Sequence, residues 1–424
     1  MLTRILHNNA KLCTFIDSLG LKLSAPQLRH VTNVADGLLV TDARKTLAEI
    51  QRQYVSCVDP SNIADTFRIA SWTAEDIRQP LTSFMMHTAL ERLEAQGQPR
   101  RLLIHLDDSL AIKDPYTRCL EGVDWHYDHA ARRRRRHRIQ NALSYTICNI
   151  VAGDWNFTFA VRPYLRQKTV QRINRKRPPE RHLRFVCKYR LARRILEDCR
   201  KLIPRDVAVY VHFDAWYASA RMFKYIRRQG WHATCRVQSN RNLSGQPISQ
   251  RALAQRHRRY VRVDIPAADG SKTTYLVRQM TGRLSKVPFD VRGLVSTKHY
   301  RDPRPVYFIS TDVSLAPHTA LQWYAKRWNC EVDNAYLKLR LGLGDFRLQP
   351  YEAIDKFCVV VHLAWAYVQW RLGHCDNHRA RNPADVIRLH RDEHAQDWLR
   401  GACMEAISTG DLESVLHRYL RQVS

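Results

Sequence analysis

The sequence predicts an α/β fold, with a mixed sheet at its core, a β-rich insertion within it and helical regions at both ends. Three observations lead there. Two apolar runs, at residues 102–107 and 207–214, each end in aspartate and have the length and composition of buried strands. Between them Leu143, Tyr145, Ile147 and Val151 alternate, and beyond Gly153–Asp154 so do Trp155, Phe157, Phe159 and Val161, which is a hairpin pattern. Helix-type segments without strand alternation fill both termini.

Residues 1–98 are expected to form a helical DNA-binding domain. Ser61–Asn62 suits the start of one helix, and Thr73 with Asp76 forms a capping box for another that runs toward Gly97. Residues 99–238 hold the first part of the core: strand, hairpin, a basic helix over about 185–202, strand, helix to Arg228, and a strand over 234–237. Residues 239–304 are the insertion, with short alternating runs around the turn signal Asp269–Gly270. Residues 305–345 return to the core with strand VYFIS and one long helix opened by Pro317 and ended by Gly342 or Gly344. Residues 346–424 are helical. The chain of 424 residues allows two to four domains at roughly 100–200 residues each.

Charge narrows the partners. Lys and Arg total 69 against 40 Asp and Glu, a net of +29. Such self-repulsion is relieved by a polyanion, and nucleic acid is the leading one. The charge is spread along the chain, which argues against a membrane surface. The longest apolar run, residues 357–370, falls short of the ~20 residues that a span needs and should be a buried helix. The first 15 residues, MLTRILHNNAKLCTF, do not resemble a signal peptide, and the expected location is cytoplasmic. The 11 cysteines contain no CxxC pair, which favours reduced thiols and argues against a zinc site.

The helix after Pro317 carries the densest chemistry. With Tyr324 at zero and about 100° per residue, Arg327 falls near −60°, Glu331 near −20° and Lys338 near −40°. On the same arithmetic Leu321, Ala325, Trp328, Val332, Ala335 and Leu339 fall between about +20° and +100°, a stripe expected to dock the helix. The polar four would then line the rim of that contact. Arg327 and Glu331 alone would be an ordinary i, i+4 surface pair. If the two aspartate-ended strands lie parallel and adjacent, their carboxylates emerge at one sheet end, where a carboxylate from a docked helix completes an all-oxygen site suited to Mg²⁺ or Mn²⁺. His126 and His129 lack neighbouring ligands and are expected to be polar loop residues.

The spacing Tyr324, two residues, Arg327, three residues, Glu331, six residues, Lys338, within YAKRWNCEVDNAYLK, resembles the Tyr-Arg-Glu-Lys signature of the DDE transposases of bacterial insertion sequences. HLDDS, EGVDWHYDH, HFDAWYASARMF, FISTDVSLAPHTALQW and LGLGDFR also resemble that family, so the likeness runs from about residue 60 to residue 370. It implies an RNase H-like core with acidic residues on strand one, strand four and a late helix, and a β-rich insertion between the second and third. It further implies Asp107, Asp214 and Glu331 as catalytic metal ligands for Mg²⁺, with Mn²⁺ able to substitute. Asp108 competes with Asp107, which fits the pattern of Asp, any residue, then Ser or Thr, here Ser109. Tyr324, Arg327 and Lys338 would hold phosphates and bases beside the cut, with Arg236 as a further basic position. Six arginines lie between residues 132 and 138, and Arg134, Arg135 and Arg136 are expected to grip DNA. The implied activity is cleavage at the element's ends and transfer of the 3′-OH strand into target DNA by a homodimer bridging both double-stranded ends. An inactive DNA-binding descendant, or another RNase H-like nuclease, would share part of this pattern.

Overall fold

Among the described residues, five helices precede the first strand: α1 (Ala10–Ser18), α2 (Ala25–Val40), α3 (Leu47–Gln51), α4 (Pro60–Arg68) and α5 (Ala74–Ala95). The computed structural model describes residues 4–56, 60–128, 139–266, 271–300, 302–374 and 380–420. Side chains set most of these helix starts. Asn9 accepts from the N–H groups of Lys11 and Leu12, and the expected box of Thr73 with Asp76 opens α5. Ser61 and Asn62 do not cap α4. They lie inside it, because Pro60, with φ already suited to a helix, begins the first turn.

The sheet follows. β1 (Arg101–Ile112), β2 (Asp124–Tyr127), β3 (Ile139–Ala152) and β4 (Trp155–Tyr164) come first. β3 and β4 form the expected hairpin, and Gly153 takes φ 62° at its turn, a conformation that glycine adopts without a Cβ penalty. After α6 (Gln167–Asn174) and α7 (Lys188–Leu202) come β5 (Ala208–Phe213), α8 (Ala220–Arg228) and β6 (His232–Val237). β1, β5 and β6 are mutually parallel, and β3 pairs antiparallel with the other edge of β1. The order β4-β3-β1-β5-β6 is that of an RNase H-like core.

The insertion adds to this same sheet. It contains a small separate hairpin, β7 (Asn242–Leu243) with β8 (Gln246–Pro247), then α9 (Ile248–Ala254) and three longer strands, β9 (Val261–Pro266), β10 (Lys272–Arg283) and β11 (Asp290–Thr297). β12 (Val306–Ser310) returns to pair antiparallel with β6. One sheet of ten strands results, in the order β2-β3-β1-β5-β6-β12-β11-β10-β9, with β4 also on β3. The turn signal Asp269–Gly270 lies outside the described residues.

Helices α10 (Pro317–Ala325), α11 (Trp328–Ala335), α12 (Tyr351–His374), α13 (Pro383–Thr409) and α14 (Leu412–Tyr419) complete the chain. α12 is the apolar run read from the sequence, and its residues from Phe357 to Val368 are all buried. It lies on β4 and is also stitched there by polar groups. Trp365 Nε1 donates to Thr158 Oγ1 at 3.0 Å, and the Thr158 N–H donates to Gln369 Oε1 at 2.8 Å. Arg78 of α5, buried, donates to Asp355 of α12 at 2.6 Å and ties the N-terminal helices to the same element. No helix among the described residues is long and apolar enough to cross a membrane.

His362 of α12 makes this packing sensitive to acid. Its Nε2 lies 2.9 Å from the Thr158 carbonyl, and its Nδ1 has no partner among the described residues. Burial pushes its pKa down to about 4 from an ordinary 6.5. The unfolded chain therefore takes up the proton first, so the stabilisation is complete above about 6.5 and is lost as pH falls toward 4. His362→Gln keeps a donor but cannot titrate. We expect its urea midpoint to fall less than that of the wild type between pH 7 and pH 4.5. Equal slopes would count against the account.

Candidate active site

Register builds the site. β1 pairs parallel with β5 so that His105 lies opposite His212, and the two rings stack at 4.9 Å. Two positions further come Asp107, within β1, and Asp214, just past the end of β5. The sequence placed both at strand ends, but β1 runs on to Ile112 because β3 keeps pairing with it beyond Asp107. Adjacent strand residues point to opposite faces, so Asp107 and Asp108 diverge. Asp108 is held by three donors: Lys188 Nζ at 2.9 Å, Tyr217 OH at 2.6 Å and Thr146 Oγ1 at 2.9 Å. Asp107 turns toward the helix pair after Pro317, where Arg327 forms an ion pair with its Oδ2.

The expected single long helix is two. α10 stops at Ala325, Lys326 and Arg327 make three-residue turns, and α11 begins at Trp328. The segment Tyr336–Arg340 then widens into a π-helical turn. The break has a packing cause. α10 rests Ala320 and Leu321 on Val263, Val277, Leu294 and Phe308 of the insertion half of the sheet. α11 rests instead on the β1–β3–β4 half. The two helices are thus held by different halves of the sheet.

The break shifts the phase, and the expected docking stripe fails beyond it. Trp328 is 70% exposed, Val332 38% and Leu339 80%. The buried face of α11 is Cys330, Asp333 and Asn334, and it is largely polar. Asp333, 1% exposed, accepts from Asn149 Nδ2 at 2.7 Å, Thr158 Oγ1 at 2.8 Å and Gln369 Nε2 at 3.2 Å. Asn334 Oδ1 accepts from Tyr145 OH at 2.9 Å. Hydrogen bonds to β3, β4 and α12 thus fix the element that presents Glu331.

One cleft of about 1340 Å³ is lined by Asp107, Asp214, Glu331, Arg327 and Lys338 together. Lys338 Nζ donates to Ser109 Oγ at 3.0 Å. Burial pushes Asp107 up to about pKa 6; the Arg327 guanidinium opposes this, and the Glu331 and Asp214 carboxylates add to it. Burial also raises Asp214, whose Oδ1 accepts from the Trp216 N–H at 2.9 Å.

The other expected positions fall elsewhere. Tyr324 does not line the cleft. It packs edge-on against Phe308 at 5.0 Å and beneath the Arg327 guanidinium, 5.9 Å from its ring centre, and burial raises its hydroxyl to about 12. Arg236 is exposed on β6 opposite Phe308 and is likewise not part of the cleft wall. Arg134, Arg135, Arg136 and His129 lie outside the described residues. His126 is not the loop residue expected: β2 pairs it with Gln140 of β3, it lines the cleft, and burial holds its pKa down at about 4. Lining residues that the sequence reading passed over include Lys188, Arg241, Tyr189 and Trp216. The Tyr189 and Trp216 rings stack at 6.2 Å with 13° between planes. Trp216 had a signal in the sequence, two residues after Asp214. Arg241 had none beyond the general basicity.

Residues 188–367 match the family model described as transposase DDE domain. The matched segment contains Asp214, Tyr324, Arg327, Glu331 and Lys338, and it begins after Asp107. The match supports a transposase of the DDE kind. A comparison with curated proteins gave no match.

The polar dock of α11 is testable apart from any activity. Asp333→Ala would leave Asn149, Thr158 and Gln369 facing an empty acceptor position. We expect a loss of about 2–3 kcal/mol in unfolding free energy by urea titration. A loss below about 0.5 kcal/mol, the range of a neutral surface change, would show that the dock is not polar in its energetics.

Proposed function

We propose that the protein is a DNA transposase that cuts at the ends of an insertion sequence and joins the freed 3′-OH strand to target DNA. The observation that carries this reading is the convergence of Asp107, Asp214 and Glu331 on one cleft with Arg327 and Lys338 beside them. The family match over residues 188–367 and the net charge of +29 support it.

The donor set fits the expected ions. Three carboxylates, from two adjacent parallel strands and a facing helix, offer oxygen alone, as hard dications prefer. Asp107, Asp214 and Glu331 would hold Mg²⁺, or Mn²⁺ in its place. Two such ions, when bound, would activate the attacking oxygen and stabilise the leaving one. Asp107 is the ligand in preference to Asp108: it lies within the field of the Glu331 and Asp214 carboxylates and its side-chain partner is Arg327, whereas Asp108 is held by Lys188, Tyr217 and Thr146.

The chain's own residues bind and orient the substrate. Lys338 and Arg327 face the cleft and pair with phosphate oxygens flanking the cut. Arg327 exchanges Asp107 for a phosphate as DNA enters. Tyr324 acts indirectly, as the ring on which Arg327 rests. Arg236 extends the basic path outside the cleft, and Arg134, Arg135 and Arg136 also grip DNA. Residues 1–98 supply a DNA-binding domain, and a homodimer bridges the two double-stranded ends at the nucleoid.

The test is cleavage. The protein with Mn²⁺ and DNA carrying the element's terminal inverted repeats is expected to cut at the repeat boundary. Glu331→Ala is expected to lower the rate at least a thousandfold, on the order of 4 kcal/mol in the barrier, while repeat binding in a gel-shift assay changes less than threefold. Cutting by Glu331→Ala at the wild-type rate would overturn the assignment.

A further inference from the structure

A second cluster of ligand-type side chains lies away from the cleft. Asp36 of α2 and His390 and His394 of α13 are all buried, at 0%, 0% and 3% exposure, and none lines the cleft. The histidines are four apart on one helix, so both rings project from the same face. His390 Nε2 and His394 Nε2 lie 2.7 and 2.8 Å from the same oxygen, Asp36 Oδ1. One donor atom from each of the three residues falls within 4.8 Å of the others.

The surroundings hold these groups in place. The Asn9 N–H donates to Asp36 Oδ2 at 2.9 Å, which leaves Oδ1 to face the imidazoles. The Tyr367 hydroxyl lies 3.3 Å from His390 Nδ1, and Arg371 donates to that hydroxyl at 3.1 Å. Metal-binding imidazoles ordinarily have such a partner on the second nitrogen, because it fixes ring and tautomer. Four elements meet here: the N-cap of α1, then α2, α12 and α13.

We propose that Asp36, His390 and His394 form a structural site for a first-row transition-metal dication, Zn²⁺ foremost, that clamps α2 to α13. Two imidazole nitrogens and one carboxylate oxygen suit such an ion and not Mg²⁺, which favours oxygen alone. Bonds of about 2.0–2.1 Å in a tetrahedral site set donors roughly 3.3 Å apart, so binding opens the present gaps by about half an ångström. Side-chain rotation supplies that. The clamp joins positions 354 residues apart, and closing so long a loop constrains the unfolded chain strongly.

The experiment uses the full chain, stripped with a chelator and titrated with Co²⁺ as a coloured stand-in for Zn²⁺. The wild type is expected to develop visible ligand-field bands that saturate, and Zn²⁺ is expected to abolish them while raising the melting temperature by about 4 °C. His394→Gln can still donate a hydrogen bond to Asp36, and it is expected to fold yet lose the bands and the Zn²⁺ response. Asp214→Ala, which alters only the cleft, is expected to keep both. Absence of bands in the wild type, bands that survive His394→Gln, or bands that follow Asp214 in place of His394 would each overturn the proposal.

Discussion

The site depends first on the parallel pairing of β1 with β5. His105 opposite His212 fixes the register, and the two aspartates two positions further on are neighbours by consequence. A slip of one residue would turn one of the two carboxylates to the opposite face of the sheet. Nothing near the cleft could restore it, because each strand is also committed on its other edge, β1 to β3 and β5 to β6. The hairpin and β6 therefore serve the site without touching it: they leave β1 and β5 no freedom to shift.

The third carboxylate arrives by different physics. Glu331 sits on a helix whose buried face is largely hydrogen-bonded. Apolar contact tolerates sliding by fractions of a turn, whereas a buried carboxylate with three donors has one good position. A carboxylate that must share a cleft with Asp107 and Asp214 benefits from that difference. It also explains why Trp328 and Leu339 are exposed: the face they define is turned outward by the same bonds.

These two cases mark what the amino-acid pattern makes legible. The strands were readable because burial demands apolar runs of limited length, but the aspartate marks a strand end only at Asp214; β1 runs on past Asp107 to Ile112. The capping box at Thr73 and the hairpin turn at Gly153 are local devices and were readable for the same reason. Ser61–Asn62 misled because Pro60 outranks them as a helix start. The helix break at Lys326–Arg327 has no local sign, neither glycine nor proline; it falls where the packing partners change from one half of the sheet to the other. Periodicity counts apolar residues, so it assigned the dock to Trp328, Val332 and Leu339 and could not see Asp333. His390 and His394 had the spacing of ligands, but their partner lies in α2, and only the fold brings Asp36 to them.

The break also decides how the signature residues share their work. On one straight helix Tyr324, Arg327, Glu331 and Lys338 would point the same way and compete for the same substrate. With the turn at Arg327, Tyr324 stays on the insertion side, against Phe308, and lends its ring to the guanidinium. Arg327 is left at the hinge, where it reaches Asp107 across the cleft. Its charge is then the counterion of a buried carboxylate. On the proposed function this arrangement would couple two events: a cation bound at Asp107 would release Arg327, and a phosphate that captured Arg327 would expose Asp107 to a cation. Each would favour the other by removing the ion pair that opposes both.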